Sequence, residues 1–289
     1  MSLLLLLSCP PPPTELWLGG DLHLGEKPNA ALLSPLLPLT EGAIGIVNLE
    51  GAVADAPHSP APDALHPRLL NPASSLDLLA PAGIRIVSTA NNHATDGGSP
   101  AQTVAALQAA GVQAAGPLGV ARYKRVTLSA WDLEAGLPAD LEAQLRSLRS
   151  QAEVLVVAFH TSGPPSYLPD PALSAAVQTA LTAEAQVVVA HGSHLVGPVE
   201  RRGNSVVAWG LGNLAMACDC TQEKDSMILR VRLEGPRLID AEVLPIEAGL
   251  RGASPRPSPA PNAIFDLLEA IGSPMLERHG NHAVLPPGR

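Results

Sequence analysis

A chain of 289 residues with 46% hydrophobic and 16% charged residues can build a large buried core, which excludes a disordered chain. Aromatic residues make up only 2%, so that core is aliphatic. The net charge of -9 argues against nucleic acid or an anionic membrane surface as the main partner. It does not exclude an anionic substrate, because a bound metal reverses the local field.

Leu3 to Leu7 is the one candidate targeting run. No Lys or Arg precedes it, and it is shorter than the about 7–15 apolar residues of a signal core. This favours a cytoplasmic location over an exported or lipidated form, although Leu6-Leu7-Ser8-Cys9 loosely resembles a lipoprotein cleavage box. No run approaches the roughly 20 apolar residues needed to span a bilayer. Cys9, Cys218 and Cys220 make no disulfide framework. Cys218-Asp219-Cys220 is spaced too tightly for an ordinary bridge and reads as two thiols near a loop.

In chain order, Glu15 to Gly19 reads as a first strand ending in Gly20-Asp21-Leu22-His23. Ala30 to Leu39 reads as a short helix broken by Pro35 and Pro38. Ala43 to Val47 is a second strand, ending in Asn48-Leu49-Glu50-Gly51. Residues 54–72 read as a loop with His58 and His66 on its surface. Asn71-Pro72 starts a helix with Leu76, Leu79 and Ala80 on its apolar face, stopped by Gly83. Ile84 to Val87 is a third strand, followed by Asn91-Asn92-His93 and Asp96. Ser99 and Pro100 then predict a helix start, and Gly111 its stop.

Arg125 to Leu133 is a strand, and Leu141, Leu145 and Leu148 make a helical stripe. Val154 to Phe159 is a strand ending in His160-Thr161-Ser162-Gly163. Pro171 to Ala185 is helical. Val187 to Ala190 is a strand ending in His191-Gly192-Ser193-His194. Ser205 to Trp209 is a strand ending in Gly210-Leu211-Gly212-Asn213. Met227 to Leu233 and Leu238 to Ile246 alternate as antiparallel strands do. Residues 249–261 are a Pro-rich linker or loop, Ala263 to Ile271 a last helix, and the end beyond it a frayed tail. Strand, polar loop and helix in repetition mean an α/β fold with an antiparallel part near the end. We expect one domain over 1–250, with 251–289 a linker, helix and tail packing on it.

The chemistry gathers at five strand ends: Asp21/His23, Asn48/Glu50, Asn91/Asn92/His93, His160 and His191/His194. In open α/β sheets, such ends are where sites are built. Imidazole and carboxylate are standard ligands of divalent transition metals. A carboxylate can bridge two ions about 3.5–4 Å apart, as two-metal hydrolases require. Asn48 and Asn91 are candidates for substrate contact. Asn213, after two turn-forming glycines, either meets a ligand or caps the turn.

The same motifs carry a family resemblance. Gly20-Asp21, Asn48-Leu49-Glu50-Gly51, Ala90-Asn91-Asn92-His93-x-x-Asp96, His160, Ala190-His191-Gly192-Ser193-His194 and Gly210-Leu211-Gly212-Asn213 resemble, in order and rough spacing over about residues 15 to 247, the signatures of the bacterial CapA (poly-γ-glutamate capsule biosynthesis) proteins. Those belong to the calcineurin-like metallophosphoesterase superfamily. The resemblance implies a four-layer α/β/β/α sandwich and two divalent ions, for which Mn, Zn and Fe all suit the donors. It places Asp21, His23 and His194 on the first ion and Glu50 as the bridging carboxylate. Asn92, His160 and His191 fall on the second, with His93 as general acid. The implied function is a hydrolase in which metal-activated water attacks a phosphoester or amide-type bond of a small molecule or polymer. The alternative is a non-catalytic polymer-handling protein of capsule or envelope assembly. The oligomeric state stays open.

Overall fold

The structure, a computed structural model, describes residues 12–54 and 67–287. The Leu3 to Leu7 run, Cys9, His58 and His66 lie outside the described residues. The rest is a mixed α/β fold with two large sheets and short helices.

The first sheet has a parallel heart. Strands Thr14–His23, Ile44–Leu49, Ile84–Ser88 and Gln113–Ala115 lie side by side in that order. On the other flank of Thr14–His23 run Asp225–Glu234 and Arg237–Glu247, each antiparallel to its neighbour. Asn213–Met216 pairs parallel with the far end of Thr14–His23. In the second sheet, Val126–Asp132, Val154–His160, Val187–His191 and Ser205–Ala208 run parallel. Its edges, Ala121–Tyr123 and Val199–Arg202, are antiparallel.

Residue parity decides what each face buries, because successive strand side chains point to opposite faces. Leu16, Leu18, Ile46 and Ile86 of the first sheet join Val154, Val156, Val187 and Val189 of the second in one apolar cluster. The intervening Trp17, Val47 and Val87 face the other way, onto Leu36, Leu76, Leu79 and Leu107. Likewise Leu155, Val157 and Phe159 turn away to meet Leu141, Leu145, Leu173 and Val177 of two helices.

Helix starts obey capping chemistry. Ser99 accepts from Gln102 N and Gln102 Oε1 accepts from Ser99 N, a reciprocal capping box before Pro100–Ala109. Asp170 accepts from Leu173 N at 2.7 Å to open Pro171–Thr182. The helix Pro261–Ala270 sends Ile264, Phe265 and Leu268 into the shared central cluster.

Four sequence expectations need correction. The first strand extends through His23, so Asp21 and His23 stand in a strand rather than a loop. Asn71 belongs to a short strand, Leu70–Asn71, and the expected helix after it is a 3-10 turn over Ala73–Leu78. The tail is a hairpin, Glu277–His279 with His282–Val284, added to Arg237–Glu247. Cys218 and Cys220 are joined in a disulfide, since the bend after Met216 brings their Cα atoms to 5.2 Å, within the usual range for a bridge. No helix among the described residues is long and apolar enough to cross a membrane.

Candidate functional site

Strand register assembles the site. Asp21 sits opposite Asn48 on one side and Asn213 on the other. In the second sheet His160 sits between Asp132 and His191. The two rows end at the same edge and meet. Gly192 N donates to Asp21 Oδ2 at 3.2 Å, although 171 residues separate them. His160 Nε2 is 3.5 Å from Glu50 Oε2, and His191 Nδ1 is 3.3 Å from Asp21 Oδ1.

Two glycines permit this approach. A Cβ on Gly20 would lie 1.8 Å from the Gly212 carbonyl oxygen, so only glycine lets the first strand touch that turn. Gly192 has φ +91°, and a Cβ there would strike the Thr161 carbonyl oxygen at 2.0 Å and the His160 ring at 2.7 Å.

Asp21 and Glu50 are each only 1% exposed. Burying an ion is expensive unless it is paired and hydrogen-bonded. Asn48 Nδ2 serves both, at 2.9 Å to Asp21 Oδ1 and 2.5 Å to Glu50 Oε2. His194 Nδ1 lies 3.1 Å from Asp21 Oδ2 and 2.8 Å from Asn213 Oδ1. Burial pushes the Asp21 carboxyl up, but the adjacent His191 and His194 imidazoles hold it well below the usual carboxylate range. Burial also pushes Glu50 up, and His160 brings it down below its ordinary value. In return, and against burial, Asp21 lifts His194 to about 9. Burial depresses His160, and the Glu50 charge overcomes it to raise the imidazole.

Several ring nitrogens have no hydrogen-bond partner among the described residues. His23 Nδ1, both nitrogens of His160 and His191 Nδ1 are buried without a hydrogen bond. For His160 and His191 the nearby carboxylate is close but wrongly directed, so proximity and hydrogen bonding differ there. Burial pushes the His23 pKa down, and its Nε2 faces the Leu70 carbonyl oxygen at 3.1 Å. A ring held by a carbonyl at one nitrogen and open at the other is the usual state of a metal-ligating histidine. In donor chemistry this set, two carboxylates and four imidazoles, fits a divalent transition metal. As arranged, no three His, Cys, Asp or Glu side chains among the described residues form a group placed to hold one ion.

The remaining sequence-predicted residues separate into two sets. Asn48, Asn91 and Asn213 are buried and tied inward. Asn91 donates to Asn48 Oδ1 at 3.1 Å and to the Leu49 carbonyl, and Asn213 donates to the Glu223 carbonyl at 3.0 Å. Asn92 is exposed. His93 is part-buried, with Nδ1 2.7 Å from Asp96 Oδ2, which also accepts from Leu69 N. Sequence reasoning passed over Asn71, which accepts from Leu24 N and donates to the Glu50 carbonyl. It also passed over Asp132, which obeys the strand-end rule that found the others.

A family model described as bacterial capsule synthesis protein PGA_cap matches residues 16–124 and 121–217. A solved structure described as a hypothetical protein from Thermus thermophilus superposes with a TM-score of 0.54 at 16% identity. It covers 81% of this chain and 100% of its own, and speaks for the fold alone. Comparison with curated proteins gave no match. With the motifs of the family standing along residues 16–217, this chain belongs to the bacterial capsule synthesis (PGA_cap, or CapA) family of the metallophosphoesterase-like group.

Proposed function

We propose that the protein is a metal-dependent hydrolase of the metallophosphoesterase type, acting on a phosphoester or amide-type bond in capsule or envelope polymer metabolism. The observation that carries this is the set of buried imidazole nitrogens, unpartnered among the described residues, beside two buried carboxylates across the joint between the sheets. The three apolar clusters alternating with the two sheets support a four-layer sandwich beneath it. Asp21, His23 and His194 would hold one divalent ion, His160 and His191 a second, and Glu50 would serve both. Exposed Asn92 enters the second set on the family motif rather than on its placement.

Divalent ions would supply Lewis acidity toward water and toward the oxygen of the scissile bond. The chain's own residues do the rest. Asn48 keeps both carboxylates hydrogen-bonded and aimed at the joint. Asp96 fixes the His93 ring through Nδ1, leaving Nε2 to hand a proton to a departing oxygen. Asn213 orients His194.

The test is the metal content of protein purified without chelator, with phosphodiester turnover in manganese, for the natural chain, Asp21→Ala and His191→Ala. About two ions per chain is the number such a centre requires, falling with turnover in both variants. Three folded proteins that take up no manganese or zinc would overturn the hydrolase. The second reading, a non-catalytic polymer-handling protein, is the one that result would leave standing.

A further inference from the structure

Beside the carboxylate–imidazole cluster lies a cavity of quite different character. Its volume is about 670 Å³, and it runs between Ala90, the Gly116–Gly119 turn, the end of Val126–Asp132 and the helix Leu141–Gln151. Two residues tie it to the site. Ala90 directly precedes Asn91, whose amide holds Asn48. Asp132 is paired in register with His160.

The walls are apolar, with Leu118, Val120, Trp131 and Leu148 prominent, and among the described residues Asp132 is the only ionisable one lining them. The Trp131 Nε1–H is taken by Ser129 Oγ at 2.9 Å, so the indole offers the cavity hydrocarbon rather than a donor. Leu118 is 60% exposed, a large apolar side chain held in water. It stands at the tip of a turn closed by reciprocal Gly116 and Gly119 backbone hydrogen bonds of 2.9 and 3.0 Å. The turn is pressed onto the strand-end loop, since a Cβ on Gly116 would sit 2.6 Å from Thr89 Oγ1. A large apolar residue fixed at the mouth of an apolar cleft beside polar chemistry is the layout of a ligand subsite.

We propose that this cleft receives an uncharged apolar portion of the substrate, an acyl or aryl group next to the bond presented to Asp21, Glu50 and His160. The word substrate rests on the hydrolase reading; the binding does not. Charge selects the class. A polyanionic γ-glutamyl chain would set repeated carboxylates against Asp132, near two buried carboxylates, with no Lys or Arg among the described lining residues to offset them. An uncharged apolar group meets no such opposition and removes Leu118 and Trp131 from water.

The experiment titrates Prodan, an uncharged naphthalene ketone whose emission moves to the blue in apolar surroundings, into the full chain with and without manganese. Leu118→Asp and Ser147→Trp are compared with it, since both positions are exposed and neither change disturbs the core. The natural chain should bind saturably whether or not manganese is present. Both variants should bind at least tenfold more weakly, with unchanged circular dichroism. Uncharged 4-phenylbutanol should displace the dye, and an oligo-γ-glutamate should not. No saturable binding, or equal binding by both variants, overturns the proposal, as does displacement by the oligo-γ-glutamate alone. Failure of the hydrolase reading would show separately, as absent metal uptake with dye binding intact.

Discussion

At the residue scale the centre turns on Asn48. Its amide nitrogen has two hydrogens, one for each buried carboxylate, and its oxygen accepts from Asn91. Asn48→Leu keeps the volume and leaves Asp21 and Glu50 each short of a donor. In chelator-treated protein this should lower stability by about 1–3 kcal/mol, read as a drop in the urea midpoint. An unchanged midpoint would mean that the carboxylates do not depend on it. The same metal-free protein should show a pH signature. His194 is raised from 6.5 to about 9, so its contribution is complete below 6.5 and is lost as pH climbs through 9. Asp21 and Glu50 are lowered, so theirs is present above the ordinary carboxylate range and fades as pH falls through their folded values. Melting temperature should therefore drop between pH 7 and pH 10, and His194→Gln should flatten that drop. A variant with the same alkaline loss as the natural chain would move its origin elsewhere.

At the element scale the strand ends are held together by turns with no room for side chains. Gly192→Ala joins a φ of +91° to a Cβ 2.0 Å from a carbonyl oxygen and 2.7 Å from the His160 ring, so something must shift. The expected loss is about 1–3 kcal/mol, with His160 and Glu50 driven apart and metal uptake weakened. Stability and uptake equal to the natural chain would show that the turn relaxes freely. This joint also marks what the sequence could reveal. Apolar runs such as Val154 to Phe159 and Val187 to Ala190 announced their strands, and polar residues at their ends announced the edge where chemistry gathers. Ser99-Pro100 announced a helix because capping is local chemistry. Contacts made across the chain left no local mark. Leu70–Asn71 pairs with Ala52–Val53, and Asn71 reaches the Glu50 carbonyl, yet Asn71-Pro72 alone imitates a helix start. The strand Val199–Arg202 and the hairpin at His279 and His282 are short and polar, and only their neighbours make them strands. Which imidazole faces which carboxylate is likewise a property of two sheets meeting.

At the scale of the whole molecule, the site depends on how the sheets are set against each other. Asp21 and Glu50 come from the first, His160 and His191 from the second, and no short loop links them. Their alignment is therefore a property of the apolar layer between the sheets. That layer is completed from far along the chain by Phe265, fully buried with Ile264 and Leu268 among residues of both sheets. If residues 251–287 act as part of one cooperative unit, Phe265→Ala should destabilise everything together. Large-to-small changes of this kind remove about 3–5 kcal/mol. Urea unfolding monitored by far-ultraviolet circular dichroism and by tryptophan emission should then give one coincident transition at a lower midpoint. Trp17 and Trp131 lie on opposite sides of the layer and would report together. A separate early transition, with the tryptophans unmoved, would instead mark the last helix and hairpin as an appendage. In a cooperative molecule, the variant should also weaken metal uptake, since a layer that loses its fit lets the two carboxylate–imidazole pairs slide out of register.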